Sequence, residues 1–278
     1  MIYLILAVLS SALISIIMRI STGKVQANLS MLATNYLICA FLGAWYTGFS
    51  IMVPVSSGGA ITVGLGAVNG ILYLAGFVLL QINTRKNGVV LSTLFMKLGL
   101  LVPIIMSIFL FKEMPTGLQI IGICIAIGAI VLINLKKDIK SGGFGIGLLI
   151  MLLAGGSADA MSKIYERIGI TELSEQFLFY TFEMALVLCV LLVVVKKENP
   201  GLWDFFFGEL IGIPNFFSAK FLLGSLRYLP AVVVYPTFSV ATILLVTLVG
   251  VLIFKEQLSR RQWVAVAAIV LALFMLNI

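Results

Sequence analysis

A series of long apolar runs constrains this chain more than any other feature. Ten runs of roughly 18 to 24 residues follow one another along its 278 residues, each long enough to cross a hydrocarbon core about 30 Å thick as an α-helix. Lipid offers no partners for backbone groups, so runs of this kind are predicted to be helical. They lie at about 2–20, 30–48, 58–82, 88–111, 116–134, 144–164, 174–195, 203–224, 230–254 and 259–277.

The composition supports this interpretation and leaves little room for another domain. Hydrophobic residues make up 62% of the chain and charged residues only 10%, whereas a soluble domain carries about 25% charged residues. The net charge of +7 is therefore read as loop charge that orients the helices, not as a nucleic-acid surface. We predict an integral, multi-pass protein of the cell membrane (an inner or plasma membrane).

An internal repeat organises the runs. Residues 88–134 match residues 231–277 without a gap, and the turn Phe111-Lys112-Glu113 recurs as Phe254-Lys255-Glu256. After each turn stands a predicted capping box, in which a hydroxyl and a Gln exchange hydrogen bonds with backbone N–H groups at the start of the next helix. The two boxes are Thr116 with Gln119 and Ser259 with Gln262.

Weaker matches extend the repeat over the whole chain. They predict two five-helix halves, residues 1–138 and 144–278. Five is an odd number, so the second half would enter the membrane from the opposite side. The predicted fold class is an all-α membrane protein whose ten transmembrane helices form two inverted five-helix repeats.

These features together resemble the drug/metabolite transporter superfamily, in particular its proteins built from two EamA-type domains. In that family a Glu commonly ends the fourth and ninth helices, and Glu113 and Glu256 fit this pattern. Gly122 and Gly128 fit the helix rich in small residues that follows. The resemblance implies secondary transport, with helices one, three, four, six, eight and nine around a cavity and helices five and ten as scaffold.

Charged side chains inside the apolar runs are candidate functional groups, because burying charge in a membrane is costly. Lys97 lies near the middle of the fourth run, where it could bind a carboxylate or phosphate of a substrate or pair with Glu183 or Asp159. Lys220 in the eighth run could reach the interface or the cavity.

Two carboxylates are the candidates for proton coupling. The chain has no His, and a buried carboxylate without a partner tends to hold a proton near neutral pH. Glu183 is the first candidate, because its own helix offers no basic partner. Asp159 is the second, and it could instead pair with Lys163 four residues later.

Uncharged polar side chains complete the predicted substrate site, which comprises Asn69, Tyr73, Asn215 and Tyr235 besides Lys97. Such groups could equally hold two helices together. For Glu113 and Glu256 a structural role beside a helix N-terminus is preferred, since that end favours negative charge.

No phosphate-binding loop, nucleotide signature or metal-ligand spacing occurs in the sequence. We therefore predict no cofactor, no metal and no enzymatic activity. The predicted function is secondary transport, as an exporter, of a small polar or amphipathic, amino-acid-like metabolite by alternating access. The alternatives are an exporter of cationic drugs or amines and a flippase for lipid-linked head groups.

The expected partners are a small-molecule substrate and the lipid bilayer, with protons left open and nucleic acid excluded. The protein is expected to be a monomer or a homodimer. Loops after the odd-numbered runs carry twelve Lys and Arg residues, and the loops on the other side carry four. Positive charge favours the inside, so both termini are predicted to lie outside.

Overall fold

The computed structural model describes residues 1–53, 58–87, 92, 95–96, 98–134, 146–255 and 260–278. Within these residues the chain forms ten α-helices and no strand. The helices are α1 Ile2–Ser21, α2 Asn28–Tyr46, α3 Gly59–Asn87, α4 Leu101–Phe111, α5 Gly117–Asn134, α6 Ile146–Ile168, α7 Ser174–Lys196, α8 Leu202–Leu226, α9 Ala231–Leu252 and α10 Arg260–Leu276. The predicted ten-helix, all-α fold class is confirmed.

The lengths of the helices agree with a membrane protein. Helices α1, α2, α3, α6, α7, α8 and α9 are long and apolar enough to cross a bilayer. The other three, α4, α5 and α10, contain shorter apolar segments. A short 3₁₀ turn, Thr171–Leu173, leads into α7.

The fourth apolar run departs from the prediction of one helix over 88–111. The described residues 92, 95–96 and 98 are helical, but the chain turns at Gly99 and Leu100, and α4 begins after this turn at Leu101. Pro103 has no N–H with which to bond the Gly99 carbonyl four residues earlier, and its ring crowds that carbonyl. The N–H of Val102 donates to the Gly99 carbonyl instead, over 2.9 Å, in a tighter turn.

The lysine of the repeated Phe-Lys-Glu turn has the same backbone conformation in both copies. Lys112 and Lys255 both adopt the left-handed conformation, with φ of 56° and 53°. After the first copy the predicted capping box is confirmed: the N–H of Thr116 donates to Gln119 Oε1 over 3.0 Å, and the N–H of Gln119 donates to Thr116 Oγ1 over 3.3 Å. Glu256 and the Ser259 box lie outside the described residues.

The chain divides into two compact units. Unit A comprises Met1, Ala75–Lys163 and Leu226–Ile278. In unit A, α5 packs along α10, and α9 contacts α4, α5 and α10. Gly122 allows a close approach, because a Cβ there would lie 3.1 Å from Leu276 of α10.

Unit B comprises Ile2–Leu74 and Ile164–Ser225, and α2 packs along α7 within it. The backbone of Gly43 in α2 lies against Phe179 of α7, where an added Cβ would be 3.0 Å from the Phe179 Cα. The pairs α2–α7 and α5–α10 each join helices that the sequence repeat makes equivalent. The boundaries of the two halves and their inverted orientation stay predictions.

The Gly66-x-x-x-Gly70 stretch of α3 lies against α7, as its small residues predict. A Cβ at Gly66 would lie 2.8 Å from Tyr180 Cβ, and a Cβ at Gly70 would overlap the carbonyl oxygen of Thr181. Gly64, two residues before Gly66 in the same helix, has no atom within 4 Å of such a Cβ. The close contact of α3 with α7 therefore depends on particular glycines.

We expect Gly70→Ala to destabilise the protein by about 1–3 kcal/mol, because the neighbouring atoms include the rigid backbone of α7. Gly64→Ala is the matched control and should be neutral or stabilising, since Ala favours a helix. Thermal unfolding of both variants in detergent measures the difference. Equal melting temperatures for the two variants would contradict the proposed contact.

Candidate functional site

The predicted site residues fall into separate groups. Asn69, Tyr73, Asn215 and Glu183 lie in unit B, whereas Tyr235 and Asp159 lie in unit A. Lys97, the first candidate for substrate contact, lies outside the described residues. Each unit is therefore described by itself.

Asn69 forms a polar contact between α3 and α7. Its side chain is 2% exposed, and its Nδ2 donates to Thr181 Oγ1 over 3.4 Å. The Asn69 Oδ1 atom is buried without a hydrogen-bond partner among the described residues. An unpaired buried oxygen is costly, so this atom is a ready acceptor for a donor group that enters the site.

Asn215 holds two helices together. Its Nδ2 on α8 donates to Asn35 Oδ1 on α2 over 3.1 Å, and Asn35 is buried. One turn along α2, the Cys39 thiol donates to the carbonyl of Gly212, with 3.3 Å between the sulfur and the oxygen. The Asn215 amide therefore forms a hydrogen bond between two helices, which is the structural role that the sequence left open beside substrate contact.

Tyr73 lies against an aromatic cluster in unit B. The fully buried Phe182 ring is at its centre, and Tyr73 packs edge-on to it with 6.0 Å between the ring centroids. Tyr36 and Phe216 lie at 6.3 Å and 6.2 Å from the same ring. The cluster joins α2, α3, α7 and α8 beside the amides of Asn35 and Asn69.

Glu183 is half-buried on α7. Among the residues that the structure describes it makes no hydrogen bond and no ion pair. Val187, Val190 and Val194 follow at helical spacings of four, seven and eleven residues, and all three are exposed. The Glu183 carboxylate therefore lies on an apolar face of α7 without a compensating cation from the described part of the chain.

Lys220 has a local partner in unit B. Its Nζ lies 2.6 Å from Glu175 Oε1 and 3.4 Å from the centroid of the Tyr46 ring. The ammonium group is thus held by a carboxylate and an aromatic face together. The sequence predicted that Lys220 reaches either the membrane interface or the cavity. It did not identify Glu175 or Tyr46 as partners.

In unit A, Tyr235 and Asp159 meet through the backbone. The buried Tyr235 hydroxyl donates to the carbonyl oxygen of Asp159 over 2.6 Å, which links α9 to α6. The side chain of Asp159 is half-buried.

Glu113 connects three helices of unit A. Its Oε1 lies 2.6 Å from Lys163 Nζ on α6, and its Oε2 accepts the N–H of Ala231, the first residue of α9, over 2.7 Å. Lys163 is 3% exposed and Glu113 is 13% exposed. The carboxylate thus neutralises a buried ammonium and occupies a helix N-terminus, where negative charge is favourable.

This connection agrees with a structural role for Glu113 but differs from the prediction in detail. The i, i+4 spacing allows Asp159 to pair with Lys163, and the sequence predicts Glu113 beside the start of the next helix. The observed helix N-terminus belongs to α9 instead. No local sequence signal identifies this link, because its members are far apart in the chain.

Two further carboxylates, which sequence analysis did not identify, hold loop and helix ends in unit B. Glu198 Oε2 accepts the N–H and the hydroxyl of Ser30 over 2.9 Å and 3.0 Å, near the start of α2. The fully buried Asp204 accepts the N–H groups of Gln26 and Gly201 over 2.8 Å and 2.7 Å. The signal available was an acidic residue at the edge of a predicted span, since Glu198 follows the run 174–195 and Asp204 lies at the start of the run 203–224.

The helices and the polar groups within them define an integral, multi-pass membrane protein of the α-helical class. Residues 142–278, the second half of the chain, match the EamA-like transporter family. This part of the chain belongs to that family, which confirms the resemblance stated from the sequence over the second half of the chain.

Two whole-chain comparisons agree with the fold. An uncharacterized protein of Haemophilus influenzae is 24% identical over 289 residues, covering 98% of this chain and 96% of that protein. A crystal structure of a protein with 15% sequence identity has a TM-score of 0.73, covering 99% of this chain and 98% of that one. At this identity the structural likeness shows the fold alone.

We expect Glu113→Gln to destabilise the protein by about 3–5 kcal/mol, because the Lys163 ammonium would remain buried without its counter-ion. Lys112→Gln, which changes an exposed neighbour in the same turn, is the control and should stay within about 0.5 kcal/mol of the parent. Thermal unfolding in detergent measures both.

The double variant Glu113→Gln with Lys163→Met should recover part of the lost stability, since the unpaired charge is removed. Additive losses in the double variant would show that the two side chains act independently.

Proposed function

We propose that the protein is a secondary transporter that exports a small polar or amphipathic, amino-acid-like metabolite by alternating access. Membership of the EamA-like transporter family is the observation that carries the transporter class. Ten helices arranged as an inverted repeat would supply two halves that rock about a central site.

A buried acceptor in unit B supports an ammonium group on the substrate. Asn69 Oδ1 is buried and has no hydrogen-bond partner among the described residues. An ammonium group offers N–H donors and a positive charge, which this oxygen would accept. A separate part of the proposal, carried by the sequence alone, is that Lys97 binds the carboxylate of an amino-acid-like substrate.

A cationic drug or amine is the second candidate substrate. The Asn69 oxygen favours it equally, because a cation needs an acceptor but no basic residue in the site. The two candidates differ in their dependence on Lys97: a zwitterion requires its charge, whereas transport of an amine should continue without it.

We further propose that transport is coupled to protons through a carboxylate, with Glu183 ahead of Asp159. A carboxylate in an apolar surrounding favours its neutral form, so it can take up a proton on one side of the membrane. Release on the other side would follow when the halves change their orientation. The absence of His from the sequence leaves the carboxylates as the candidates.

The Lys97→Met variant tests the substrate class. We expect it to lose uptake of radiolabelled amino acids into proteoliposomes while retaining normal membrane yield, because Met keeps the length and removes the charge. Lys86→Met, which changes an exposed lysine at the end of α3, is the matched control and should transport normally. Normal amino-acid transport by Lys97→Met would refute the contact, and retained transport of amines alone would support the second candidate.

The Glu183→Gln variant tests proton coupling. In proteoliposomes with an imposed pH gradient, we expect it to abolish gradient-driven accumulation while leaving substrate exchange measurable. Glu209→Gln changes an exposed carboxylate of α8 and serves as the control. Coupling is absent if the parent protein accumulates substrate equally with and without the gradient.

A further inference from the structure

An apolar groove runs along the surface of unit B between α2, α7 and the start of α8. Its volume is about 380 Å³, and Leu37, Val190 and Phe205 are among its walls. These three side chains are 53%, 44% and 44% exposed, so the groove opens outward. A groove on a membrane-spanning segment that opens in this way faces the acyl chains of the bilayer.

The groove offers no free polar group to a ligand, although two hydroxyls lie in its wall. The Thr34 hydroxyl donates to the carbonyl of Ser30 over 3.0 Å, and the Ser30 hydroxyl donates to Glu198 Oε2 over 3.0 Å. Both donors are therefore already used. The interior of the groove is suited to a hydrocarbon chain and not to a polar metabolite.

The groove follows the axis of α7 towards a basic end. Leu186, Val190 and Val193 line it at helical spacings of four and three residues, and Lys197 follows four residues later. Eleven residues of helix span about 16 Å, comparable to one half of a hydrocarbon core. The stripe therefore extends from the middle of a bilayer to its surface.

Exposed positive charge gathers at that end of unit B. Lys196 and Lys197 end α7 and are exposed, and Lys24 lies with its Nζ 5.1 Å from the centroid of the Trp203 ring. The carboxylates of Glu198 and Asp204 at this end are bound by backbone N–H groups. A half-exposed Trp beside lysines is typical of the level of the lipid head groups.

We propose that the groove binds one anionic phospholipid of the bilayer, with an acyl chain along α2 and α7 and its phosphate at Lys197. The apolar lining selects a hydrocarbon chain, and the basic end selects a negatively charged head group. The groove lining includes none of the residues of the proposed transport site, and the lipid proposal does not depend on the transported substrate.

Native mass spectrometry of the purified protein in detergent tests the proposal, with phosphatidylglycerol as the anionic lipid and phosphatidylethanolamine as the neutral one. We expect the parent protein to retain phosphatidylglycerol in preference, with one lipid bound most tightly. Lys197→Gln should weaken this preference about fivefold, the effect of one lysine beside an anionic lipid surface. Lys112→Gln removes an equally exposed lysine, also in the left-handed conformation at a helix end, and should leave the preference unchanged.

A second pair of variants tests the acyl-chain groove. Val190→Trp should fill the groove and weaken retention of both lipids, whereas Val195→Trp on the same helix lies outside the groove lining and should not. The proposal is wrong if the parent protein retains the two lipids equally. It is also wrong if Lys197→Gln keeps the full preference, or if the two Trp variants retain lipid alike.

Discussion

A hydrocarbon surrounding satisfies no hydrogen bond, and this constraint decides how the polar groups of the protein are arranged. Helices satisfy their own interior backbone groups, so the remaining difficulty lies at helix ends and in turns. Three carboxylates resolve it locally: Glu113 accepts an N–H at the start of α9, Glu198 two near the start of α2, and Asp204 two in adjoining loops. Without these acceptors, buried donors such as the N–H groups of Ser30 and Ala231 would be unpaired, at a cost of about 1–3 kcal/mol each.

The same constraint separates polar groups that are already bonded from those that are open to a substrate. Asn215 is bonded to Asn35, and the Tyr235 hydroxyl to the backbone of Asp159. Asn69 keeps an unpaired buried oxygen among the described residues, and Glu183 has no partner there. An unsatisfied buried acceptor is destabilising without a ligand, which is why the proposed substrate contact is built on Asn69, whereas Glu183 is proposed for proton coupling.

Close packing of helices rests on small residues, because apolar side chains gain little from leaving lipid for one another. Gly43 allows α2 to approach α7, Gly70 brings α3 to α7, and Gly122 brings α5 to α10. The groove beside α2 and α7 has a different character, since its walls are bulky, exposed and apolar. Helices of this protein therefore pack closely where glycines let their backbones approach, whereas bulky apolar side chains cover the surface that faces lipid.

The sequence by itself determined the features that depend on neighbouring residues. The ten apolar runs and the Thr116 capping box follow from residue types and spacings within short segments. The break before α4 was not predicted, although Pro103, four residues after Gly99, explains it. Only the tertiary structure joined Glu113 to Lys163 and Asn35 to Asn215. Helical spacing predicts which face of a helix a side chain lies on, but not which distant helix packs against that face. These partners are 50 and 180 residues apart in the chain, so only the packing of the helices brings them into contact.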